Sequence, residues 1–292
     1  MSTVAEPVAR QGRVRGFLRL VVIEHSVFAL PFAYLAALTA MRPHVRWGDL
    51  ALVTVAMVAA RTFAMAANRV IDREIDARNP RTAQRELVTG ALPLTVAYGG
   101  MAVALVAFLA AALALDPLCL ALAPVALAPL TLYPYAKRFT WLCHYVLGAA
   151  QAIAPIGAWV AVRGTFDGAL PSLWLGLAVG TWIAGFDLIY ACQDAEHDRA
   201  NGVHSLPARF SVATALHVSR FTHLATMGLL LAFGAAADLG PLWVMGLGLT
   251  FLAIVYEHAI VSPDDLSRVN RAFFTVNGYV GIGLFVFGVL SR

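Results

Sequence analysis

Residues 48–76 read GDLALVTVAMVAARTFAMAANRVIDREID, an apolar run that ends in a dense group of charged side chains. Between Leu50 and Ala67 the only charged residue is Arg61. A helix that crosses a bilayer needs about 20 predominantly apolar residues, and this run supplies them. The stretch therefore predicts a transmembrane helix over 48–68 that carries an acid-rich segment at its end.

Similar apolar runs recur along the whole chain of 292 residues. Hydrophobic residues make up 60% of it and charged residues only 13%, with a mean hydropathy of +0.74, whereas soluble domains carry about 25% charge. The predicted spans are 17–41, 48–68, 93–115, 117–136, 141–162, 172–192, 212–236, 239–260 and 271–290. This pattern disfavours a soluble enzyme and predicts an all-α membrane protein, a single domain over 1–292 with about nine transmembrane helices.

The basic residues gather at alternate ends of these spans. Because Lys and Arg remain on the cytoplasmic side, the pattern predicts a multi-pass protein of the cell (inner or plasma) membrane with a cytoplasmic N-terminus. Two polar loops, 68–92 and 193–211, then also face the cytoplasm. The net charge of +4 comes without a basic stripe, so we predict no nucleic-acid partner and expect lipid head groups or phosphorylated substrates instead.

The first acid-rich motif places Asn68, Asp72 and Asp76 four residues apart. On a helix this spacing puts three oxygen-bearing side chains on one face, over about 12 Å of rise. Mg²⁺ prefers oxygen ligands and commonly bridges one or two carboxylates to substrate phosphates. The motif therefore predicts a metal–diphosphate site. The alternative is a solvated helix end whose acids pair with neighbouring arginines.

A second motif repeats this spacing at the end of the sixth predicted span. Tyr190, Asp194 and Asp198 are again four residues apart, and the motif lies on the same side of the membrane as the first. Carboxylates near lipid cost free energy unless something compensates them. The joint occurrence of two such motifs therefore favours a binding site over two solvated loops.

Isolated polar side chains within the spans are a third signal. Arg61 precedes Asn68 by about two turns, and Asp187 lies just before Tyr190. Ionisable groups inside a membrane face a cavity or pair with one another, which makes both candidates for function. Other such residues more often hold helices together; these are His25, Glu257 and His258.

The segment Tyr133-Pro134-Tyr135-Ala136-Lys137-Arg138 ends the fourth predicted span. Lys137 is the only lysine in the chain. An ammonium beside a guanidinium suits a diphosphate. The alternative is ordinary anchoring of a helix by basic and aromatic residues at the membrane surface.

Three stretches together resemble the UbiA superfamily of intramembrane aromatic prenyltransferases: RTFAMAANRVIDREIDARNPRT (61–82), YPYAKRFTW (133–141) and DLIYACQDAEHDRANGVHSLPARF (187–210). The resemblance implies a helical bundle around a central cavity that the two polar loops cap. It also implies Mg²⁺-dependent transfer of an isoprenyl group from a polyprenyl diphosphate to an aromatic ring.

The resemblance further assigns roles to individual residues. Asn68, Asp72 and Asp76 would hold one Mg²⁺, and Asp194 and Asp198 the other. The donor-binding set would be Tyr133, Lys137, Arg138, Arg73 and Arg81, with Tyr190 beside the second motif. Arg61 would face the polar end of the acceptor. Asp187 is a candidate to receive the ring proton.

The chain looks most like quinone-pathway enzymes whose acceptor is 4-hydroxybenzoate or a dihydroxynaphthoate, in ubiquinone or menaquinone biosynthesis. Residues 85–90 read RELVTG where many 4-hydroxybenzoate enzymes read RPLPSG, which leaves the acceptor open. An ion-coupled transporter with buried carboxylates is the competing hypothesis, and no protein partner is predicted.

Overall fold

The computed structural model describes residues 12–21 and 29–292, and this part of the chain is built from helices. The helices are α1 Arg13–Leu20, α2 Leu30–Ala40, α3 Trp47–Ile71, α4 Arg73–Arg78, α5 Leu94–Leu115, α6 Pro117–Ala136, α7 Cys143–Arg163, α8 Leu170–Ala191, α9 Ala195–Ala200, α10 Leu206–Arg209, α11 Val212–Ala236, α12 Pro241–Ala259 and α13 Asn277–Leu290. A 3₁₀ turn, Cys192–Asp194, joins α8 to α9, and a π-helix, Arg271–Val276, leads into α13.

The predicted all-α membrane fold is confirmed. Within the described residues, eight helical stretches are long and apolar enough to cross a membrane. They are Trp47–Ile71, Leu94–Leu115, Pro117–Ala136, Cys143–Arg163, Leu170–Ala200, Val212–Ala236, Pro241–Ala259 and Arg271–Leu290. The predicted first span, 17–41, corresponds to α1 and α2, and its middle lies outside the described residues, as does His25.

Local sequence explains where several of these helices begin and end. Asp116 lies between α5 and α6, and its carboxylate accepts a hydrogen bond of 2.8 Å from the backbone N–H of Leu118. Pro117 follows as the first residue of α6, a position where its fixed φ suits a helix and its missing N–H costs nothing. Gly164 ends α7 with φ of +65°, a left-handed conformation that favours glycine.

Helix α8 is the centre of the bundle, and it packs closely against α7 because small residues face each other. A Cβ atom added at Gly148 would collide with the carbonyl oxygen of Gly180, and one at Gly180 would lie 3.0 Å from the carbonyl oxygen of Gly148. Facing small residues let helix backbones approach closely in membrane proteins. The contact fixes the register of α7 against α8, and thus the relative positions of the polar residues nearer the site.

A chain of aromatic rings connects the core to the π-helix. Phe32 of α2 packs on Trp182 with ring centroids 5.2 Å apart, Trp182 packs on Phe186 at 5.2 Å, and Phe186 packs on Phe273 of the π-helix at 5.0 Å. Phe273 in turn lies 4.3 Å from the ring of Tyr190. Tilted and edge-on ring pairs of this kind are favourable in cores. They hold the π-helix against the site end of α8.

Both acid-rich motifs contain a break in the helix that the sequence did not predict. Helix α3 ends at Ile71 and α4 begins at Arg73, so Asp72 lies at the junction. In the second motif, Tyr190 belongs to α8, Asp194 to the 3₁₀ turn and Asp198 to α9. The four-residue spacing therefore does not run along one continuous helix in either motif, although each motif still faces a common space.

Candidate active site

A cavity of about 350 Å³ lies where α3, α6 and α8 end. Eleven of the thirteen residues predicted for the site line it: Arg61, Asn68, Asp72, Asp76, Arg81, Tyr133, Lys137, Asp187, Tyr190, Asp194 and Asp198. We call this space the polar cavity. The two motifs, which are more than 100 residues apart in sequence, thus share one site.

Asp72 is the most buried of the four motif aspartates, with only 1% of the residue exposed. Its Oδ2 accepts a hydrogen bond from Asn68 Nδ2 at 2.7 Å and lies 2.6 Å from Lys137 Nζ. Burial raises the pKa of the Asp72 carboxyl above its ordinary value, and the Lys137 ammonium opposes that rise. Lys137 comes from the end of α6, so this pair ties the first motif to the YPYAKR segment.

Asp76 is neutralised from within its own loop. Arg85 Nη1 lies 2.6 Å from Asp76 Oδ2. Asp76 is 5% exposed, and Arg85 covers it from the side of the loop that follows α4. The pairing makes Arg85 a member of the site that was not predicted.

Asp194 receives hydrogen bonds from the opposite loop. Arg81 Nε and Nη2 lie 3.0 and 2.5 Å from Asp194 Oδ1 and Oδ2, a two-point contact, and Asn79 Nδ2 donates to Oδ1 at 2.9 Å. A third nitrogen of Arg81 donates to the Tyr190 hydroxyl at 3.0 Å. Two-point arginine–carboxylate pairs are both strong and geometrically specific. Arg81 therefore joins the two predicted cap loops across the polar cavity.

Asp198 is held by the loop that follows α9. Ser205 Oγ donates a hydrogen bond of 2.8 Å to Asp198 Oδ2. The preceding residue, His204, donates its backbone N–H to the carbonyl oxygen of Lys137 at 2.7 Å. The same loop thus contacts the second motif and the end of α6, which closes the rim of the polar cavity.

The residues of the polar cavity fit a magnesium ion that a substrate helps to bind. Asp72 Oδ1 is buried and accepts no hydrogen bond from the described residues, and Arg138 Nη2 lies 3.8 Å from it, so it can accept a metal ion or a donor. No three His, Cys, Asp or Glu side chains in 12–21 and 29–292 form a group able to hold an ion by themselves. Mg²⁺ needs only one or two carboxylates where phosphate oxygens and waters complete its shell. The donor set therefore suits a metal bridged to phosphate.

Two predicted residues lie apart from the polar cavity. Arg73 Nε donates to the carbonyl oxygen of Leu87 at 3.0 Å and braces the loop after α4. Arg138 Nη2 donates to the carbonyl oxygen of Ile71 at 2.6 Å and its guanidinium covers the ring of Tyr135. Neither lines the polar cavity, although Arg138 lies within 3.8 Å of Asp72. The structure thus does not bring them directly to the space where a diphosphate would lie.

A second cavity, of about 360 Å³, adjoins the first and is almost wholly apolar. Its walls come mainly from alanine and aliphatic side chains of α3, α5, α6 and α7. We call it the apolar cavity. Arg61, Tyr133 and Gln151 line both cavities and mark their junction. Arg61 Nε is buried and finds no hydrogen-bond partner within the described part of the chain, so an unsatisfied cationic donor stands at this junction.

Sequence reasoning missed several polar residues that line the polar cavity, among them Asn79, Arg85, His144 and Gln151. Asn79 and Arg85 follow the first motif within its loop. Their polar side chains lie close to Asp76 in sequence, and this proximity could have identified them as candidates. His144 and Gln151 lie on α7, one on each side of Leu147, which also lines the polar cavity. Their spacing of seven residues keeps them on one helix face, but nothing in an otherwise apolar span distinguishes that face.

A helical membrane bundle with a charged cavity at one end, open to an apolar cavity deeper in, defines an intramembrane enzyme that handles a substrate with a charged head and an apolar tail. The chain belongs to the UbiA prenyltransferase family, whose match covers residues 29–279. It is thus a multi-pass membrane prenyltransferase.

Similar proteins agree with this assignment. The 4-hydroxybenzoate octaprenyltransferase of Azotobacter vinelandii is 32% identical over 237 residues, 80% of this chain and 78% of that one. A UbiA homolog from Aeropyrum pernix K1 superposes with a TM-score of 0.83 at 36% identity, covering 92% of this chain and 98% of that one. A UbiA homolog from Archaeoglobus fulgidus bound to DMAPP and Mg²⁺ shares the fold, with a TM-score of 0.72 at 17% identity over 94% and 98% of the chains.

Proposed function

We propose that the chain transfers a polyprenyl group from a polyprenyl diphosphate to an aromatic hydroxy acid, 4-hydroxybenzoate or a dihydroxynaphthoate, in quinone biosynthesis. The observation that carries the proposal is the junction of the two cavities at Arg61 and Tyr133. The diphosphate of the donor fits in the polar cavity on one side of this junction, and its prenyl tail fits in the apolar cavity on the other side. The small aromatic acid fits at the junction itself. The name of the Azotobacter relative, 4-hydroxybenzoate octaprenyltransferase, supports the same acceptor and donor class.

The donor binds across both cavities in this proposal. Its diphosphate lies in the polar cavity, where Lys137 and Arg81 neutralise charge. Asn68, Asp72 and Asp76 would hold one Mg²⁺, and Asp194 and Asp198 would hold a second. When bound, Mg²⁺ supplies positive charge that stabilises the diphosphate as it departs. The Archaeoglobus homolog, which shares this fold, binds DMAPP and Mg²⁺, and this supports a prenyl diphosphate and Mg²⁺ as ligands here. The tail lies in the apolar cavity.

Binding of this kind requires that the present ion pairs exchange partners. Lys137 and Arg81 now contact Asp72 and Asp194 at 2.6 and 2.5 Å. A divalent cation on these carboxylates would release the ammonium and the guanidinium to face phosphate oxygens. Each basic side chain therefore compensates a carboxylate before the substrate binds and the diphosphate afterwards.

The acceptor lies at the junction, with its carboxylate toward Arg61. The unsatisfied Nε of Arg61 provides a cationic donor for that carboxylate, and the Tyr133 hydroxyl lines the same place. The electron-rich ring then faces the allylic carbon of the donor. As the C–O bond to diphosphate breaks, the apolar walls keep water from the developing carbocation. Asp187, on the wall of the polar cavity, receives the proton that the ring loses.

The protein acts in the cell membrane in this proposal, with its N-terminus and both capping loops in the cytoplasm, as one domain over residues 1–292. Water-soluble acceptors reach the polar cavity from that side, and lipid-soluble donors reach the apolar cavity from the bilayer. The transporter hypothesis fits less well, because the carboxylates of the site gather at helix ends and the family is one of prenyltransferases.

The test is direct product formation by the purified full-length chain in detergent. We expect the protein, supplied with Mg²⁺ and geranyl diphosphate, to prenylate either 4-hydroxybenzoate or 1,4-dihydroxy-6-naphthoate, as measured by mass spectrometry. Product should vanish with excess EDTA, return when Mg²⁺ is restored, and be absent for Asp194→Asn. Folded protein that forms no product with either acceptor, with geranyl or longer donors, would overturn the proposal.

A further inference from the structure

A histidine and a carboxylate form a close pair on the wall of the polar cavity. His144 Nδ1 lies 2.7 Å from Asp187 Oδ2. The His144 side chain is only 4% exposed, whereas that of Asp187 is 25% exposed. Both side chains line the polar cavity, and the carboxylate is the more exposed of the two.

The hydrogen bond on the far side of the imidazole sets which nitrogen carries the proton. The backbone N–H of Leu206 points to His144 Nε2 at 3.4 Å. An N–H donor requires a lone pair, so this contact favours the tautomer in which Nδ1 carries the hydrogen and donates it to Asp187. Oδ2 of Asp187 is therefore held by His144, while Oδ1 accepts no hydrogen bond from the described residues and remains available to a ligand.

The position of the pair along the bundle matches the place of the reacting ring. Helices α3 and α8 end at the same side, where Asp72 directly follows α3 and Asp194 ends the 3₁₀ turn after α8. Asp187 lies seven residues before Asp194, and Arg61 lies eleven before Asp72. At 1.5 Å per residue these separations are about 10 and 16 Å. Asp187 is therefore at a depth between the diphosphate side chains and Arg61, where a ring anchored at Arg61 presents its carbons.

We propose that His144 is a positioning residue that holds Asp187 in the orientation needed to take the proton from the prenylated ring. This inference rests on the proposed function. A ring carbon bonds to the allylic carbon while the C–O bond to diphosphate breaks. The C–H electron pair at that carbon then returns to the ring, and its proton passes to Asp187 Oδ1. From there the proton leaves with solvent or the departing diphosphate in the polar cavity.

The loop that caps the site connects this pair to the second motif. Ser205 Oγ donates to Asp198 at 2.8 Å, and the next residue, Leu206, provides the N–H that faces His144. Adjacent residues of one loop therefore hydrogen-bond both Asp198 and His144.

The experiment compares two substitutions of His144 in the full-length protein. His144→Leu removes the donor to Asp187 at similar volume, whereas His144→Asn places an amide N–H near the position of Nδ1. We expect kcat to fall about 10- to 100-fold for the Leu variant, less than the roughly 10²- to 10⁴-fold that a well-placed base contributes, because Asp187 itself remains. The Asn variant should recover most of that loss, and KM for the prenyl diphosphate should change little in both.

A kinetic isotope effect distinguishes positioning from a structural role. With acceptor deuterated at the reacting ring positions, proton loss that has become slow in His144→Leu should give a primary isotope effect larger than that of the wild type and of His144→Asn. His223→Leu, which removes another buried histidine that lies outside the polar cavity, is the matched control. It should leave the isotope effect unchanged even if it lowers stability.

The outcomes separate this inference from the proposed function. A folded His144→Leu protein with unchanged kcat and unchanged isotope effect would overturn the role of His144 alone. If that variant does not fold, His144→Met takes its place, because methionine adapts to irregular space. A wild-type protein that prenylates neither acceptor would overturn the proposed function, and the role of His144 with it.

Discussion

Lys137 Nζ lies 2.6 Å from Asp72 Oδ2, so the only lysine in the chain compensates the most buried carboxylate of the polar cavity. The two residues come from different helices, and their contact spans 65 positions of sequence. Breaking a buried ion pair by removing one partner is strongly destabilising, since it leaves an uncompensated charge. The pair therefore serves stability as well as substrate binding, and variants can separate the two roles.

Lys137→Met should lower both stability and activity. We expect a loss of about 3 kcal/mol in the free energy of unfolding, because Asp72 keeps a buried charge without its partner. The double variant Lys137→Met with Asp72→Asn should regain most of that stability and remain inactive. Thermal unfolding in detergent without Mg²⁺ measures the first effect, and product formation measures the second.

The double variant is the control for this prediction. Equal stability of Lys137→Met and the wild type would show that the contact does not stabilise the protein. Recovery of activity in the double variant would show instead that neither residue is needed for the donor or its metal.

Arg81→Ala should weaken donor binding more than any change to a solvent-facing arginine of the same loop. Arg81 makes two hydrogen bonds to Asp194 and one to Tyr190, and it joins the two capping loops. We expect KM for the prenyl diphosphate to rise about tenfold or more, since a two-point charged contact is worth roughly 1.5–3 kcal/mol. Steady-state kinetics at varied donor concentration measure it.

Arg78→Ala is the matched control, because Arg78 is exposed and does not line the polar cavity. Its KM should stay at the wild-type value. A similar rise in both variants would point to the net charge of the loop rather than to the specific contact of Arg81 with Asp194.

The transmembrane helices could be predicted from the sequence, because the thickness of a bilayer sets the length of apolar sequence that each span needs. Each span must present about 20 apolar residues, and the predicted span at 48–68 differs from α3, Trp47–Ile71, by only a few residues. The four-residue spacing of Asp72 and Asp76 indicated a shared face, and both side chains do line one cavity. Local pattern therefore predicted the helices and the carboxylates of the site.

The partners of those carboxylates depend on tertiary contacts that local pattern does not encode. Arg73 and Arg81 belong to the same loop, yet one contacts Leu87 and the other contacts Asp194. His144 and Asp187 are 43 residues apart and meet because small glycines let α7 and α8 pack closely. No periodicity in the sequence distinguishes such pairs from other polar residues, so only the packed structure identifies them.

Arg61→Leu should impair use of the acceptor selectively. The buried Nε of Arg61 has no protein partner in the described residues, which fits a role in binding an acidic ligand. We expect KM for 4-hydroxybenzoate to rise tenfold or more, as a charged hydrogen bond worth about 1.5–3 kcal/mol is lost, while KM for the donor changes little. Phenol, which lacks the carboxylate, is the comparison acceptor.

With phenol as acceptor, the wild type and Arg61→Leu should have similar kcat/KM, because phenol has no carboxylate for Arg61 to bind. If kcat/KM falls equally for phenol and 4-hydroxybenzoate, Arg61 maintains the structure of the junction and does not recognise the carboxylate of the acceptor.

The length of the apolar cavity should set which donors fit. Tyr133 marks its junction with the polar cavity, and Ala123, buried and lining the apolar cavity, lies ten residues earlier on α6. At 1.5 Å per residue this is about 15 Å from the junction. A short geranyl tail occupies the near part of the cavity, whereas a tail of many isoprene units must pass Ala123.

Ala123→Phe should therefore reduce turnover of octaprenyl diphosphate about tenfold or more, while turnover of geranyl diphosphate stays near the wild-type value, because the new ring fills space that only long tails need. The matched control is Ala121→Phe, since Ala121 lies on the same helix but is exposed and does not line the apolar cavity. Competition between the two donors in one reaction, read by mass spectrometry, measures the preference directly. An unchanged product ratio in folded Ala123→Phe protein would mean that long tails leave the bundle by another path, nearer to Tyr133.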